Sequence, residues 1–137
     1  MSQRSLEEFG ADRKSKELFD LVVADRERLR RDPLCFKLVS QQIGSADSIC
    51  SNIEEGHGRL SPPEYIRFLD FARGSARETR GRYLRMTHWL GEDVVQQRTA
   101  LADEILGILT ASIERLRSQS SSTTTERLHE EVTLYGT

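Results

Sequence analysis

Three polar residues fall beside apolar stripes, where either chemistry or structure could use them: Asn52, Glu55 and Glu78. Two carboxyl groups held together in a site shielded from water can act as an acid–base pair or bind a ligand. The same groups can instead form a hydrogen-bonded cluster that fixes helix register, because buried polar groups need partners. If two central helices turn near Arg59 and run antiparallel, Glu78 comes level with Gln41. We therefore expect a contact between Gln41 and Glu78 and favour the structural role.

A metal site is suggested by one motif and opposed by its surroundings. Glu54-x-x-His57 has the spacing found in di-iron helical bundles, which need two such motifs and two further inward acids. The second copy, Glu126-x-x-His129, lies near the C-terminus, and His57 follows Gly56, where we expect a helix to end through a left-handed turn. No G-x-S-x-G motif, phosphate-binding loop or dinucleotide fingerprint occurs. We therefore expect no metal, no cofactor and no enzymatic activity.

A group of arginines provides candidate nucleic-acid contacts: Arg59, Arg67, Arg73, Arg77 and Arg80. The last three lie on one face of a predicted helix, and a symmetric assembly would multiply their charge. Asp70 and Glu78 interleave with them and could instead pair them on a solvated face. The net charge of −2 argues against indiscriminate binding to nucleic acid. The phosphate track and the solvated face both stay open.

Four helices must position these residues. The long Pro-free stretches are rich in Leu, Arg, Glu and Ala, a composition that favours helix. Asp32 can cap the second helix with Pro33 in its first turn, and Ser61-Pro62-Pro63-Glu64 has the pattern of a capping box for the third. Heptad stripes and these signals predict helices at about Ser15–Arg30, Asp32–Gly56, Ser61–Leu90 and Asp93–Ser118.

Short connections make consecutive helices antiparallel, so residues 15–118 are predicted to form an all-α, up-and-down four-helix bundle. Residues 1–14 are predicted to be a flexible arm. Residues 119–137 are predicted to be a flexible tail, in which Leu128, Val132 and Tyr135 could form a short helix that docks on the bundle or on a protein partner. No stretch approaches the ~20 apolar residues of a membrane span, and no signal peptide is apparent, so we expect a cytoplasmic protein.

The third helix has an apolar stripe too wide for a single neighbour. This width predicts a homo-oligomer in which part of the helix contacts another copy. The candidate interface residues are aromatic: Tyr65, Phe68, Phe71 and Tyr83.

Residues 48–59, S-I-C-S-N-I-E-E-G-H-G-R, resemble the S-I-x-x-N-I-x-E-G-x-x-R signature of the four helix bundle protein family, also called the large-subunit ribosomal RNA intervening-sequence protein family. Further matches lie upstream and downstream. The motif residues are Gln41, Ser48, Asn52, Glu55, Gly56, Gly74, Ser75 and Glu78. The resemblance implies a four-helix bundle and a ring-shaped homo-oligomer, a pentamer.

The leading functional prediction is a non-enzymatic, homo-oligomeric structural or interaction module. The resemblance extends distantly to accessory proteins of diversity-generating retroelements. It therefore implies an alternative, an RNA- or DNA-binding ring associated with a reverse transcriptase or with the rRNA intervening sequence. A third class, a scaffold for a protein partner bound through the tail, also stays open.

Overall fold

The computed structural model describes the backbone of residues 5–135 and the side chains of residues 5–119, and every regular element within them is helical. A 3₁₀ turn, Leu6–Glu8, precedes five α-helices: α1 Gly10–Leu29, α2 Phe36–His57, α3 Pro62–Arg85, α4 Thr87–Leu90 and α5 Glu92–Tyr135. Helix α2 packs on α1 and α3, and α5 closes the bundle against α3 and α1. The predicted all-α class is confirmed. Among the described residues, no helix combines the length and apolarity that crossing a membrane requires.

Helix α1 begins at Gly10 rather than at Ser15. Ala11 and Asp12 are buried, and Lys16 donates to the Asp12 carboxylate at 2.9 Å. Because these first residues pack against the core, the chain from Gly10 onward is part of the bundle and not of a flexible arm.

The turns differ in detail from the sequence prediction. Helix α2 begins at Phe36, because the Asp32 carboxylate accepts a hydrogen bond from the Leu34 N–H at 2.9 Å and holds Pro33 in a turn before the helix. Helix α3 begins with Pro62 as predicted, but Ser61 caps it without a side-chain hydrogen bond, so no capping box forms.

Helix α3 also ends earlier than predicted. It stops at Arg85, the short helix α4 follows, and Gly91, with φ +83°, turns the chain into α5. Helix α5 continues to Tyr135, past the predicted end at Ser118. The side chains of residues 120–137, including those of Leu128, Val132 and Tyr135, lie outside the described residues, so their predicted docking stays a prediction.

Gly56 has a different role from the one its sequence position suggests. It lies inside α2, and the only described glycine with a positive φ is Gly91. A Cβ at Gly56 would lie 2.8 Å from the Phe68 Cβ and 3.0 Å from the Tyr65 Cδ2. The glycine is therefore required because α3 approaches the end of α2 too closely for any side chain.

The core is mainly apolar, and it includes a buried ionic cluster. The largest fully buried side chains include Leu18, Ile49, Leu69, Ile105 and Leu109. Burial of each such side chain stabilises the fold by roughly 1.5–3 kcal/mol.

The ionic cluster joins three helices. Asp25 of α1 accepts from the Tyr83 hydroxyl of α3 at 2.7 Å. It also accepts from two nitrogens of Arg98 of α5, at 3.0 and 3.1 Å. Burial and the neighbouring carboxylate raise the pKa of the Tyr83 hydroxyl far above its usual range, so Tyr83 stays a donor. Every member has a partner, which allows the charges to lie inside the bundle.

The cluster predicts that replacing Asp25 destabilises the fold far more than replacing an exposed aspartate. Asp25→Ala leaves Arg98 and the Tyr83 hydroxyl without their acceptor in the interior, and we expect it to lower the free energy of unfolding by about 3–5 kcal/mol. Asp103→Ala removes an exposed partner of Arg80, and we expect a loss below about 1 kcal/mol. Urea denaturation followed by circular dichroism measures both. Equal effects of the two substitutions would contradict the structural role of Asp25.

The two environments of glycine predict opposite effects of the same substitution. Gly56→Ala should destabilise the chain by about 1–3 kcal/mol, because its Cβ would overlap α3. Gly107→Ala should stabilise it by up to about 1 kcal/mol, because nothing lies within 4 Å of a Cβ there and alanine favours helix. Thermal melting of the two variants tests this, and a stabilised Gly56→Ala variant would refute the close approach.

Candidate functional site

A line of polar side chains fills the contact between α2 and α3. Gln42 donates to the Thr79 carbonyl oxygen at 2.8 Å, and the Ser45 and Thr79 hydroxyls lie 2.8 Å apart. Arg82 donates through one nitrogen to the Gln42 side-chain oxygen at 2.8 Å and to the Ser45 oxygen at 2.9 Å. Burial lowers the pKa of the Arg82 guanidinium. Its buried Nε has no partner among the described residues.

The line continues towards the other end of the two helices. The Thr79 hydroxyl donates to the Ser75 carbonyl oxygen at 2.9 Å, and the Ser75 hydroxyl donates to the Ser48 hydroxyl at 2.8 Å. Asn52 donates to the same Ser48 hydroxyl at 3.0 Å and to the Ser48 carbonyl oxygen at 2.8 Å. We call the whole set the polar seam: Gln42, Ser45, Ser48, Asn52, Ser75, Thr79 and Arg82.

The predicted contact between Gln41 and Glu78 is wrong in its residues. Both are exposed, and the neighbouring residues Gln42 and Thr79 make the contact between the helices. One residue rotates a side chain by about 100° around a helix, so a shift of one position exchanges the inner and outer faces. Glu55 is exposed too and binds Arg59 at 2.7 Å instead of joining a buried cluster.

An open groove of about 460 Å³ runs along the surface of this contact. Its lining offers hydroxyls, an amide, two carboxylates and one aromatic ring: Ser48, Asn52, Asp70, Phe71, Gly74, Ser75 and Glu78. None of these residues is a histidine, cysteine or lysine, so the lining holds no pair of nucleophile and nitrogen base. Among the described residues, no group of three or more His, Cys, Asp or Glu side chains could hold a metal ion.

Four of the five candidate nucleic-acid-binding arginines already have partners within the chain. Arg59 binds Glu55 and lies 4.8 Å from the centre of the Phe68 ring, and Arg67 lies 5.4 Å from that of Phe71.

Of the remaining three arginines, two have partners and one does not. Arg73 binds Asp70 at 2.6 Å and reaches Thr110, and Arg80 binds Asp103 at 2.7 Å. Only Arg77 is exposed and, within the described part of the chain, without a contact of this kind. The arginines do not form a continuous track of free positive charge.

The four aromatic residues predicted to form the interface differ in how far their side chains are exposed. Tyr83 is fully buried in the core and has no surface to offer another copy. Tyr65 and Phe68 are half-buried where α3 begins, and burial raises the pKa of the Tyr65 hydroxyl. Phe71 is 46% exposed beside the groove and is the one of the four that presents a large apolar surface.

Sequence analysis missed Asp25, Gln42 and Arg98, although their spacing contained the signal. Asp25 follows Leu18 and Val22 at heptad positions, Gln42 precedes Ala46 and Ile49 in the same way, and Arg98 precedes Ala102 and Ile105. A polar residue on an apolar stripe at such spacing is predicted to be buried and therefore paired.

Comparison with known proteins agrees with the helical architecture. The structure matches a solved structure described as a protein of unknown function from the S23 ribosomal protein family of Bacteroides thetaiotaomicron, with a TM-score of 0.71 and 23% sequence identity. The match covers 75% of this chain and 97% of that one, and at this identity it supports the fold alone. No match was found among curated proteins.

The family comparison is more extensive. Residues 7–111 match the family described as 23S rRNA-intervening sequence protein, a range that includes the polar seam, the groove and the ionic cluster. This chain therefore belongs to the 23S rRNA-intervening sequence protein family.

Proposed function

We propose that this chain acts as a non-enzymatic, homo-oligomeric interaction module, in which the exposed α2–α3 face of one copy binds another copy. The observation that carries the proposal is Phe71, whose ring is 46% exposed at the edge of the groove. Burial of a phenylalanine ring contributes roughly 1.5–3 kcal/mol. Because the ring is already more than half buried, a second copy seated over the groove would gain only about half of this contribution.

The helix surfaces around Phe71 leave room for a close neighbour. Gly44 of α2 and Gly74 of α3 both lie inside helices, and nothing lies within 4 Å of a Cβ built on either. Glycine inside a helix costs roughly 1 kcal/mol relative to alanine, and no contact among residues 5–119 requires it at these two positions. A helix of another copy that approaches closely would require it.

Charge supports self-association over the nucleic-acid alternative. Four of the five arginines that were expected to bind phosphates make ion pairs or ring contacts within the chain. A phosphate would have to compete with those partners. The RNA- or DNA-binding ring therefore stays a prediction. From the family resemblance we expect the assembly to be a ring of five copies.

A pair of matched glycine substitutions tests the proposed face. Gly74→Leu places a large side chain in the proposed contact, and Gly107→Leu places the same side chain on an exposed, equally open position of α5. We expect the wild-type chain to sediment as a multimer and Gly74→Leu to weaken association by about tenfold or more, while Gly107→Leu retains the wild-type mass. Sedimentation equilibrium over a range of concentrations measures this, and circular dichroism checks that both variants fold.

Two results would contradict the proposal. A wild-type chain that stays monomeric at every concentration would remove self-association altogether. A Gly74→Leu variant with the wild-type mass, or an equal loss in both variants, would remove the α2–α3 face.

A further inference from the structure

A second groove, of about 340 Å³, lies between α1 and α2, on the other side of α2 from the polar seam. Apolar side chains from both helices form most of its lining: Leu29, Phe36, Val39 and Ile43. The polar part of the lining is smaller: Arg26, Arg30 and Ser40. The groove at the α2–α3 contact is different, because Phe71 is the one large apolar side chain among the residues that line it.

Large apolar side chains are exposed on the α1–α2 face. Phe36 is 63% exposed, and Val23 of α1 is 38% exposed. Val23 shares a stripe of α1 with Arg26 and Arg30, at i, i+3 and i+7, so it lies on the side of the helix that borders the groove. An assembly that used the α2–α3 face alone would leave this apolar surface in water. Apolar surface bordered by charge is typical of a contact with another protein.

The ring of Phe71 has little apolar surface to bind if the α2–α3 face of one copy binds the same face of another. Apart from the second Phe71, that face offers hydroxyl, amide and carboxylate groups and a glycine: Ser48, Asn52, Asp70, Gly74, Ser75 and Glu78. Covering such polar groups with a ring that makes no hydrogen bonds is unfavourable. The α1–α2 groove offers the side chains of Leu29, Val39 and Ile43 instead.

The other two sides of the bundle are more strongly charged. The groove between α1 and α5 has four charged residues in its lining: Lys14, Glu17, Arg98 and Glu104. The α3–α5 side carries the exposed ion pair between Arg80 and Asp103. A phenylalanine ring would remove water from these charges without replacing its hydrogen bonds. Of these described surfaces, the α1–α2 groove therefore suits Phe71 best.

The positions of the two faces suit a closed assembly. The α1–α2 and α2–α3 faces are adjacent sides of the bundle, with α2 along the edge between them. Adjacent sides of a four-helix bundle lie at roughly 90° to one another. Copies joined through two such sides turn steadily and close into a ring of about four or five, in which the two neighbours of a copy lie about 90–108° apart. Contact through opposite sides would instead extend into an open filament.

One carboxylate at the α2–α3 face is available to a neighbouring copy. Glu78 is exposed, lines the groove and, within the described part of the chain, forms no ion pair. Its charge acts on Arg82 only at longer range. Asp70 is already paired with Arg73 at 2.6 Å. Glu78 is therefore the acid of this groove that an arginine of another copy can bind.

The α1–α2 groove provides such arginines. Arg26 and Arg30 share Glu27, at 3.4 and 3.8 Å, and all three side chains are about half exposed or more. Exposed pairs of this kind are weak, so either arginine can bind a further carboxylate.

We propose that the α2–α3 face of one copy binds the α1–α2 face of the next copy, with the Phe71 ring in the α1–α2 groove and Glu78 next to the two arginines of that groove. This inference rests on the proposed self-association and names the surface that receives the α2–α3 face. Arg67, whose guanidinium lies over the Phe71 ring, enters the contact with that ring and lies next to Glu27.

Cross-linking between copies of the full-length chain tests which surfaces meet. Copies with Ser40→Cys, at the α1–α2 groove, are mixed with copies with Glu78→Cys under mild oxidation; both native cysteines are buried. We expect a disulfide-linked pair with one copy of each variant, about fivefold or more above the self-linked Glu78→Cys pair, because a disulfide needs close Cα atoms. As a control, Gln97→Cys, on the α1–α5 side, replaces Ser40→Cys and should give about fivefold less mixed product.

Two outcomes of this experiment would overturn the proposal. If the self-linked Glu78→Cys pair dominates, the α2–α3 face binds itself. If the mixed product forms equally well with Ser40→Cys and with Gln97→Cys, the α1–α2 groove is not the receiving surface.

Charge exchange with rescue tests the ionic part. Arg26→Glu and Glu78→Arg should each weaken association by about fivefold or more at low salt, and the two substitutions in one chain should restore it to within about twofold. Arg28→Glu makes the same change of charge about 200° around α1 from Arg26 and should have little effect. All three positions are exposed, and circular dichroism checks that the variants fold. Absence of rescue would overturn the proposal.

The two proposals fail in different ways. A chain that is monomeric at every concentration removes both. A multimer that is sensitive to Gly74→Leu but shows neither the mixed cross-link nor the rescue removes only the α1–α2 groove as the receiving surface.

Discussion

The structure depends on one constraint: polar side chains on the inner stripes of the helices must find partners inside the bundle. Asp25, Gln42 and Arg98 each lie on an apolar stripe, and a charge or amide left unpaired there would cost several kcal/mol. Their partners lie on other helices, so the pairs form only when the helices have one relative height and rotation. The apolar contacts alone would tolerate neighbouring registers far better, because leucine and isoleucine pack against many surfaces.

This constraint also determines which groups remain for function. Asp25 and Arg98 are occupied by one another and by Tyr83, and Arg82 is held by Gln42 and Ser45. Most of the outer arginines of α3 are paired with acids or rings. Among the large apolar side chains exposed on the described surface are Phe71, beside the groove at the α2–α3 contact, and Leu34 and Phe36, where the chain enters α2.

Much of the fold could be predicted from the sequence, because heptad stripes specify helices and short connections specify antiparallel neighbours. The contacts of the polar seam could not be predicted to the exact residue, because an error of one position turns Gln42 outward and Gln41 inward. The reason why position 56 requires glycine could not be predicted from the sequence either. Its sequence context is that of a helix end, and only the position of Phe68 and Tyr65 shows that a Cβ would collide with α3. The pairing of Arg73 with Asp70 follows from their spacing on one helix, whereas the contact of Arg73 with Thr110 and that of Arg80 with Asp103 depend on the packing of α5 on α3, which no local pattern contains.

The proposed α2–α3 contact restricts the symmetry of the assembly. If the face of one copy binds the same face of its neighbour, the contact has a two-fold axis and joins copies in pairs. A ring of five copies requires the α2–α3 face of each copy to bind a different surface of the next copy, because only a heterologous contact can close with an odd number of copies.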